Sequence, residues 1–254
     1  IMTLGSMTGA AKDAIDEARD AGKRVGLIKV KTFSPFPVEA LLKSFAKIKA
    51  LGVVDRSVAF RWNCGAGQCG SCAAEVDGKP VLTCKTEIKP GTKDLSVFPI
   101  KVFPVVRDLV VDFAPAQEKL KGLRAFFTPA RDKKTGEFYP MREFQVQAAQ
   151  EMRKCIDCFI CHDVCHVLRD APHLPFVGPR NLVKAAAQQF HPLNAEDRTP
   201  LVEQGGLSAC NVTRCCTEAC PQGIQITQNA IIPFKERAVS AKDPFEKLLR
   251  KVLK

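Results

Sequence analysis

The twelve cysteines of this chain stand in three groups and nowhere else: Cys64, Cys69, Cys72 and Cys84; Cys155, Cys158, Cys161 and Cys165; and Cys210, Cys215, Cys216 and Cys220. Disulfide frameworks spread half-cystines along small secreted folds, whereas metal sites collect thiols on short loops. With 254 residues, 46% of them hydrophobic and 26% charged, the chain can build proper cores without staples. Lys12, Asp13, Asp16 and Glu17 interrupt the start, so no secretory apolar core is expected there. No uncharged apolar run approaches the ~18 residues of a membrane span. The expectation is a soluble, cytosolic protein whose thiols hold metal.

The first group reads C-x4-C-x2-C followed by Cys84, the plant-type [2Fe–2S] spacing. A tight loop wraps such a cluster and aims three thiolates inward, and the fourth arrives from the next strand. Gly65, Gly67 and Gly70 permit positive φ and let backbone N–H groups approach the sulfurs. Residues 73–84 read as a hairpin around an Asp77-Gly78 turn. The same glycines match G-x-G-x-x-G, but cysteines run through the motif and no helix pattern follows it. A half zinc site at Cys69-x2-Cys72 suits the glycine content and the x4 spacing poorly.

The second group reads C-x2-C-x2-C-x3-C, the bacterial ferredoxin run whose fourth cysteine serves the other cluster. The third is the same run in register, with Thr213 where the second cysteine belongs and Pro221 after the last. A cubane lacking one thiolate can lose that iron, so this half is expected to carry [3Fe–4S]. Crossing the fourth cysteines assigns Cys155, Cys158, Cys161 and Cys220 to [4Fe–4S], and Cys165, Cys210 and Cys216 to [3Fe–4S]. Cys215 is left over, and a small thiol beside the cluster is favoured over a ligand.

Residues from about Phe60 to Lys254 resemble the iron–sulfur subunit of succinate dehydrogenase and fumarate reductase. AFRWNCGAGQCGSCAAEVDGKPVLTCKTEI, PVVRDLVVDF at 104–113 and the two later cysteine runs carry the likeness. It implies an α+β chain: a plant-type ferredoxin β-grasp domain over 60–113, atypical or incomplete at its N-terminus, then an all-α bacterial-ferredoxin-like domain over 114–254. It implies an electron-transfer subunit that relays single electrons between an FAD-containing subunit and a membrane anchor holding a quinone. The dicarboxylate chemistry then lies on the flavin of another chain. The location implied is the cytoplasmic face of the cell membrane, peripheral through the anchor. Many members have Pro after the fourth cysteine of the first run and Trp soon after; here His166 to Asp170 stand there. Asn211 replaces a common His. His166, Arg169 and Asn211 are therefore the quinone-side candidates; for His166 and Arg169 the alternative role is orienting the cluster loop. His162 reads as a neighbour of the ligands, and His173 and His191 as surface or cap residues. An iron–sulfur subunit of another flavoprotein, of the thiol-linked fumarate reductase type, is the alternative within redox chemistry. Last comes a basic zinc protein that binds nucleic acid.

The first 59 residues read differently. A helix opened by Gly5–Gly9 and ended by Gly22, a strand within 25–33, a helix over 38–50 and a strand over 51–54 suggest a parallel α/β unit. The wording LGSMTGAAKDAIDEARDAGKRVGLIKVKTFSPFPVEAL is similar to a domain of 2-oxoacid (pyruvate):ferredoxin oxidoreductases, without their thiamine chemistry. This segment either keeps its own fold or lends one strand and a crossing helix to the β-grasp. Residues 116–140 read as a linker, 179–190 and 230–239 as helices, and 243–254 as a basic amphipathic tail helix. The net charge of +11 carries no long basic block, and Tyr and Trp occur once each, which argues against nucleic acid. Much of it is compensation for anionic clusters.

Overall fold

The computed structural model describes residues 2–4, 8–25, 28–30, 53–54, 58–88, 94–129 and 140–244. The chain divides into two compact units, Ile1–Ala59 and Phe60–Lys254. The first contains β1 (Met2–Leu4), α1 (Thr8–Asp20), β2 (Ile28–Val30) and β3 (Val53–Val54). Its strands pair in parallel in the order β2-β1-β3. Parallel strands need a crossover, and α1 supplies the one between β1 and β2. Gly22, at φ +76°, closes α1 in a Schellman turn: its N–H bonds Arg19 O, and the Lys23 N–H bonds Ala18 O. Of the strand expected within 25–33, Ile28–Val30 pairs within this unit. The helix expected over 38–50 lies outside the described residues.

The second unit opens with antiparallel β-structure. β4 (Ala73–Val76) and β5 (Lys79–Leu82) form a hairpin, and β6 (Val97–Phe98) pairs on the other edge of β4. Asp77 and Gly78 both have positive φ, 48° and 75°, as a two-residue hairpin turn demands. The Asp77 carboxylate accepts from Ser96 N and Oγ, tying β6 to the turn. A second ribbon joins β7 (Val105–Arg107) and β8 (Val110–Val111).

Helix α2 (Ala114–Gly122) corrects the first part of the expected linker or exposed loop, of which residues 130–139 lie outside the described residues. Its charged residues hide the helical spacing of Ala116, Leu120 and Leu123, of which Ala116 and Leu123 are buried. Asp112 Oδ1 accepts from the Ala114 N–H, and Pro115 occupies the first turn, where no N–H is required. The Ala116 carbonyl accepts from Asn181 Nδ2 at 2.9 Å, which docks α2 on the dicluster helices.

Those helices are α3 (Glu143–Gln150), α4 (Ile160–Asp163), α5 (His166–Asp170), α6 (Pro179–Gln189), α7 (Thr199–Gln204), α8 (Cys215–Glu218) and α9 (Ile232–Ser240). Their core gathers Leu182, Val183, Val202, Leu207, Ile224, Ile226 and Phe234 around the thiols. The helix expected from residue 230 begins earlier, as a π-turn over Thr227–Ile231. Pro233 offers no N–H to the Asn229 carbonyl, which accounts for the widened turn. Of the expected tail helix, residues 245–254 lie outside the described residues.

Candidate cluster-binding sites

The 64–72 loop is a cradle of backbone donors. Gly65, Gly67 and Gly70 take φ of 64°, 74° and 69°. The N–H groups of Ala66 and Gln68 both point at Cys64 Sγ, 3.3 Å away. The Ser71 hydroxyl and nearby donors pull the Cys69 thiol down to about 6. The hairpin supplies the fourth sulfur: Ala73 pairs with Leu82, and Thr83 N donates to Cys72 O, so Cys84 lies beside Cys72. Burial opposes ionisation of Cys72, but the Cys84 N–H and thiol outweigh it and lower its pKa. Arg61, which the sequence did not single out, stacks 4.3 Å over Phe113 and places its charge near Cys69 and Cys72.

This loop is packed onto the second cysteine run. A Cβ on Gly70 would stand 2.5 Å from the Ile156 carbonyl oxygen and 2.8 Å from Cys158 N and Cα. Phe103 packs edge-on against Phe113 and Phe159 at 4.9 and 5.2 Å, fixing the same junction. Gln222 Nε2 donates to Gly67 O at 3.1 Å.

The two later runs have one backbone shape. Asp157 and Phe159 flank Cys158 with φ of 58° and 61°, and Val212 and Arg214 flank Thr213 with φ of 63° and 67°. Left-handed backbone at such residues is uncommon, and here it turns the chain around each site. Cys155, Cys158, Cys161 and Cys220 line one cavity with Arg180, Val183, Ile224 and Ile226. Cys165, Cys210 and Cys216 line another with Cys215, Thr213, His166 and Thr227. The π-turn presents Thr227, whose hydroxyl lies 3.6 Å from Cys216 Sγ.

Burial pushes the Cys158 thiol up to about 12 and Cys216 to about 11, and raises Cys155, Cys161 and Cys165. Such thiols ionise only where bound cations take up the charge, so they suit iron. None of the twelve cysteines is in a disulfide. Among the described residues, no three His, Cys, Asp or Glu side chains form a group suited to one metal ion. The eight thiols of the two later runs instead ring two cavities, as cubane-type clusters with one thiolate per iron corner require.

Of the quinone-side candidates, only His166 lines the second of these cavities, with Nδ1 3.4 Å from Thr213 Oγ1. Arg169 turns to Glu75 at 3.2 Å and donates to the Asp163 carbonyl at 3.2 Å. Asn211 is exposed and outside the cavity lining. His162 is buried behind Cys161, accepts the Arg180 N–H, and is held neutral because burial drives its pKa down to about 3. His173 is exposed, and His191 accepts from Leu193 N.

Comparison with known proteins agrees with this geometry. Residues 23–118 match a 2Fe-2S iron-sulfur cluster binding domain and residues 151–224 a 4Fe-4S dicluster domain. The fumarate reductase iron-sulfur subunit of Mycobacterium tuberculosis is 31% identical over 211 residues, 76% of this chain and 81% of that one. The chain belongs to the succinate dehydrogenase/fumarate reductase iron–sulfur subunit family. Its structure matches a chain of the Mycobacterium smegmatis Sdh1 complex in the apo form with a TM-score of 0.70 at 42% identity, covering 82% of this chain and 86% of that one. As in the family, its cofactors are [2Fe–2S], [4Fe–4S] and [3Fe–4S]. A different likeness spans 65 residues, about the length of the first unit. There the chain is 82% identical to the NADH-dependent phenylglyoxylate dehydrogenase subunit alpha of Aromatoleum evansii, covering 26% of this chain and 16% of that protein. Besides that 16%, the chain spans about a third of the length of several other curated relatives that it matches.

Proposed function

We propose that this chain is the electron-transfer subunit of a succinate dehydrogenase or fumarate reductase complex, relaying single electrons between an FAD-containing subunit and a membrane quinone. The observation that carries this is the series arrangement of its thiol sets. Gly70 seats the first loop on the backbone of Cys158, and the 161–165 helical turn runs from the middle cavity to the last. Cys64, Cys69, Cys72 and Cys84 hold [2Fe–2S]; Cys155, Cys158, Cys161 and Cys220 hold [4Fe–4S]; Cys165, Cys210 and Cys216 hold [3Fe–4S]. Bound clusters supply one-electron redox chemistry. The chain's own part is to hold the thiolates, aim N–H donors at them and keep water out of the two buried cavities. The first of these domains reads as a β-grasp without its opening hairpin, supported by the three-stranded sheet β5-β4-β6. The domains then run 1–59, 60–113 and 114–254.

No helix among the described residues is long and apolar enough to cross a membrane. Peripheral attachment at the cytoplasmic face, through an anchor subunit, belongs to the same reading. Purification from native cells tests the reading. A brown complex with an FAD subunit and succinate-dependent quinone reduction is expected. A colourless, zinc-loaded protein would overturn it.

A further inference from the structure

The second of the two thiol-lined cavities holds four cysteines, one more than its cluster uses. Cys215 stands beside Cys165, Cys210 and Cys216, with its Sγ 3.6 Å from Thr213 Oγ1. Thr213 sits where the repeated backbone places Cys158 in the other run, at the corner with no thiolate. The repeat also shows how unusual Cys215 is. Its counterpart in the first run is Ile160, which is 2% exposed and packs in the core of the first iron–sulfur domain. Cys215 is only half-buried and lines its cavity. A hydroxyl such as Thr213 is a poor iron ligand, whereas a thiolate is a good one.

We propose that Cys215 is an exchangeable fourth ligand, which captures ferrous iron at the corner left open by Thr213. The inference rests on the cluster assignment proposed above. The step balances as follows. The one-electron-reduced, neutral three-iron cluster takes up one ferrous ion, and the Cys215 thiol releases its proton to solvent as its sulfur bonds that iron. The product is a dicationic four-iron core, and no electron moves in the capture itself. The preceding reduction comes from the electron relay, or in vitro from dithionite. The last site thereby becomes responsive to ferrous iron.

The test uses the complete chain in its native complex, without oxygen. The protein is reduced with dithionite, given ferrous iron, desalted, reoxidised gently and examined by EPR and iron analysis. In the wild type most of the oxidised three-iron signal is expected to disappear, with a gain of about one iron per chain. Cys215→Ser is expected to keep that signal and gain no iron, and Thr213→Ala to convert as the wild type does. An unchanged reduced [2Fe–2S] signal shows that each variant is folded. A wild-type signal that survives iron, or equal conversion in Cys215→Ser, would overturn the proposal alone. A wild type with no three-iron signal before iron is added would overturn the underlying assignment as well.

Discussion

Thr213 occupies in the third cysteine run the place that Cys158 occupies in the second. Each is flanked by two left-handed residues, Asp157 and Phe159 or Val212 and Arg214, and each is followed by a four-residue helix. The backbone for a four-thiolate site is present twice, and in the third run one thiolate corner is missing. Replacing Thr213 by Cys should therefore restore the missing corner without any added iron. Thr213→Cys is expected to raise iron content by about one per chain and to remove the oxidised three-iron EPR signal. Unchanged iron would mean that the vacancy lies elsewhere.

The register of the third run distinguishes two adjacent cysteines. Cys216 is buried, with Thr227 Oγ1 3.6 Å from its sulfur, whereas Cys215 is half-buried. Cys216→Ser should abolish the three-iron signal, and Cys215→Ser should leave it in the protein as isolated. The reverse pattern would shift the ligand assignment by one residue.

Gly70 is the contact between the first cluster loop and the second. A methyl group there meets backbone at 2.5–2.8 Å, which cannot swing aside, and φ is +69°. Gly70→Ala should cost about 1–3 kcal/mol through overpacking, with further strain from the left-handed backbone. Chemical denaturation reads that loss, and slower succinate-dependent quinone reduction should accompany it. Gly67→Ala is the contrast. Its added methyl meets only the Lys85 side chain, which can move, so only the backbone strain remains.

Arg169 tests loop ordering against quinone binding. Glu75 is completely buried, and its carboxylate is shared by Lys101 and Arg169. Arg169→Ala should remove its ion pair with Glu75 and its charged hydrogen bond to the Asp163 carbonyl, the latter worth about 1.5–3 kcal/mol. The predicted result is a lower melting temperature with an unchanged KM for quinone. A raised KM at unchanged stability would return Arg169 to the quinone side.

Arg198 is fully buried, and its guanidinium bonds Arg124 O at 2.8 Å, Asn194 Oδ1 at 2.7 Å, Phe126 O and Glu196. Those contacts join the segment after α2 to the loop before α7. Arg198→Met should destabilise the protein by about 1–3 kcal/mol, since the carbonyls of Arg124 and Phe126 lose their buried donor, while Glu196 keeps Arg124 and Thr128. A denaturant titration that detects less than 1 kcal/mol, taken as roughly the size of a surface pair, would contradict this.

Some features were legible because they are local. Cysteine spacing on a tight loop reflects the size of the group to be wrapped. The Asp77-Gly78 turn and the Gly22 stop follow from positive φ at single residues. The dicluster helix starting at Pro179 was visible in its apolar spacing. Other features left little trace. β1 has three residues, too few for a pattern, and Lys and Glu on α2 concealed Ala116 and Leu123. Arg61 looked like any surface cation, and the π-turn depends on Pro233 failing to serve a carbonyl one turn back.

The amino-acid sequence by itself determined the thiol inventory, the grouping of the cysteines and the absence of one at position 213, because ligand runs are short and their chemistry is covalent. Tertiary structure alone decided which loops meet. Gly70 finds the Cys158 backbone, Arg169 turns to Glu75, and Cys215 lines a cavity that its counterpart Ile160 avoids. Those outcomes depend on packing between residues far apart in the chain. Burial of apolar surface and the satisfaction of buried charge select them, and neither can be read from spacing.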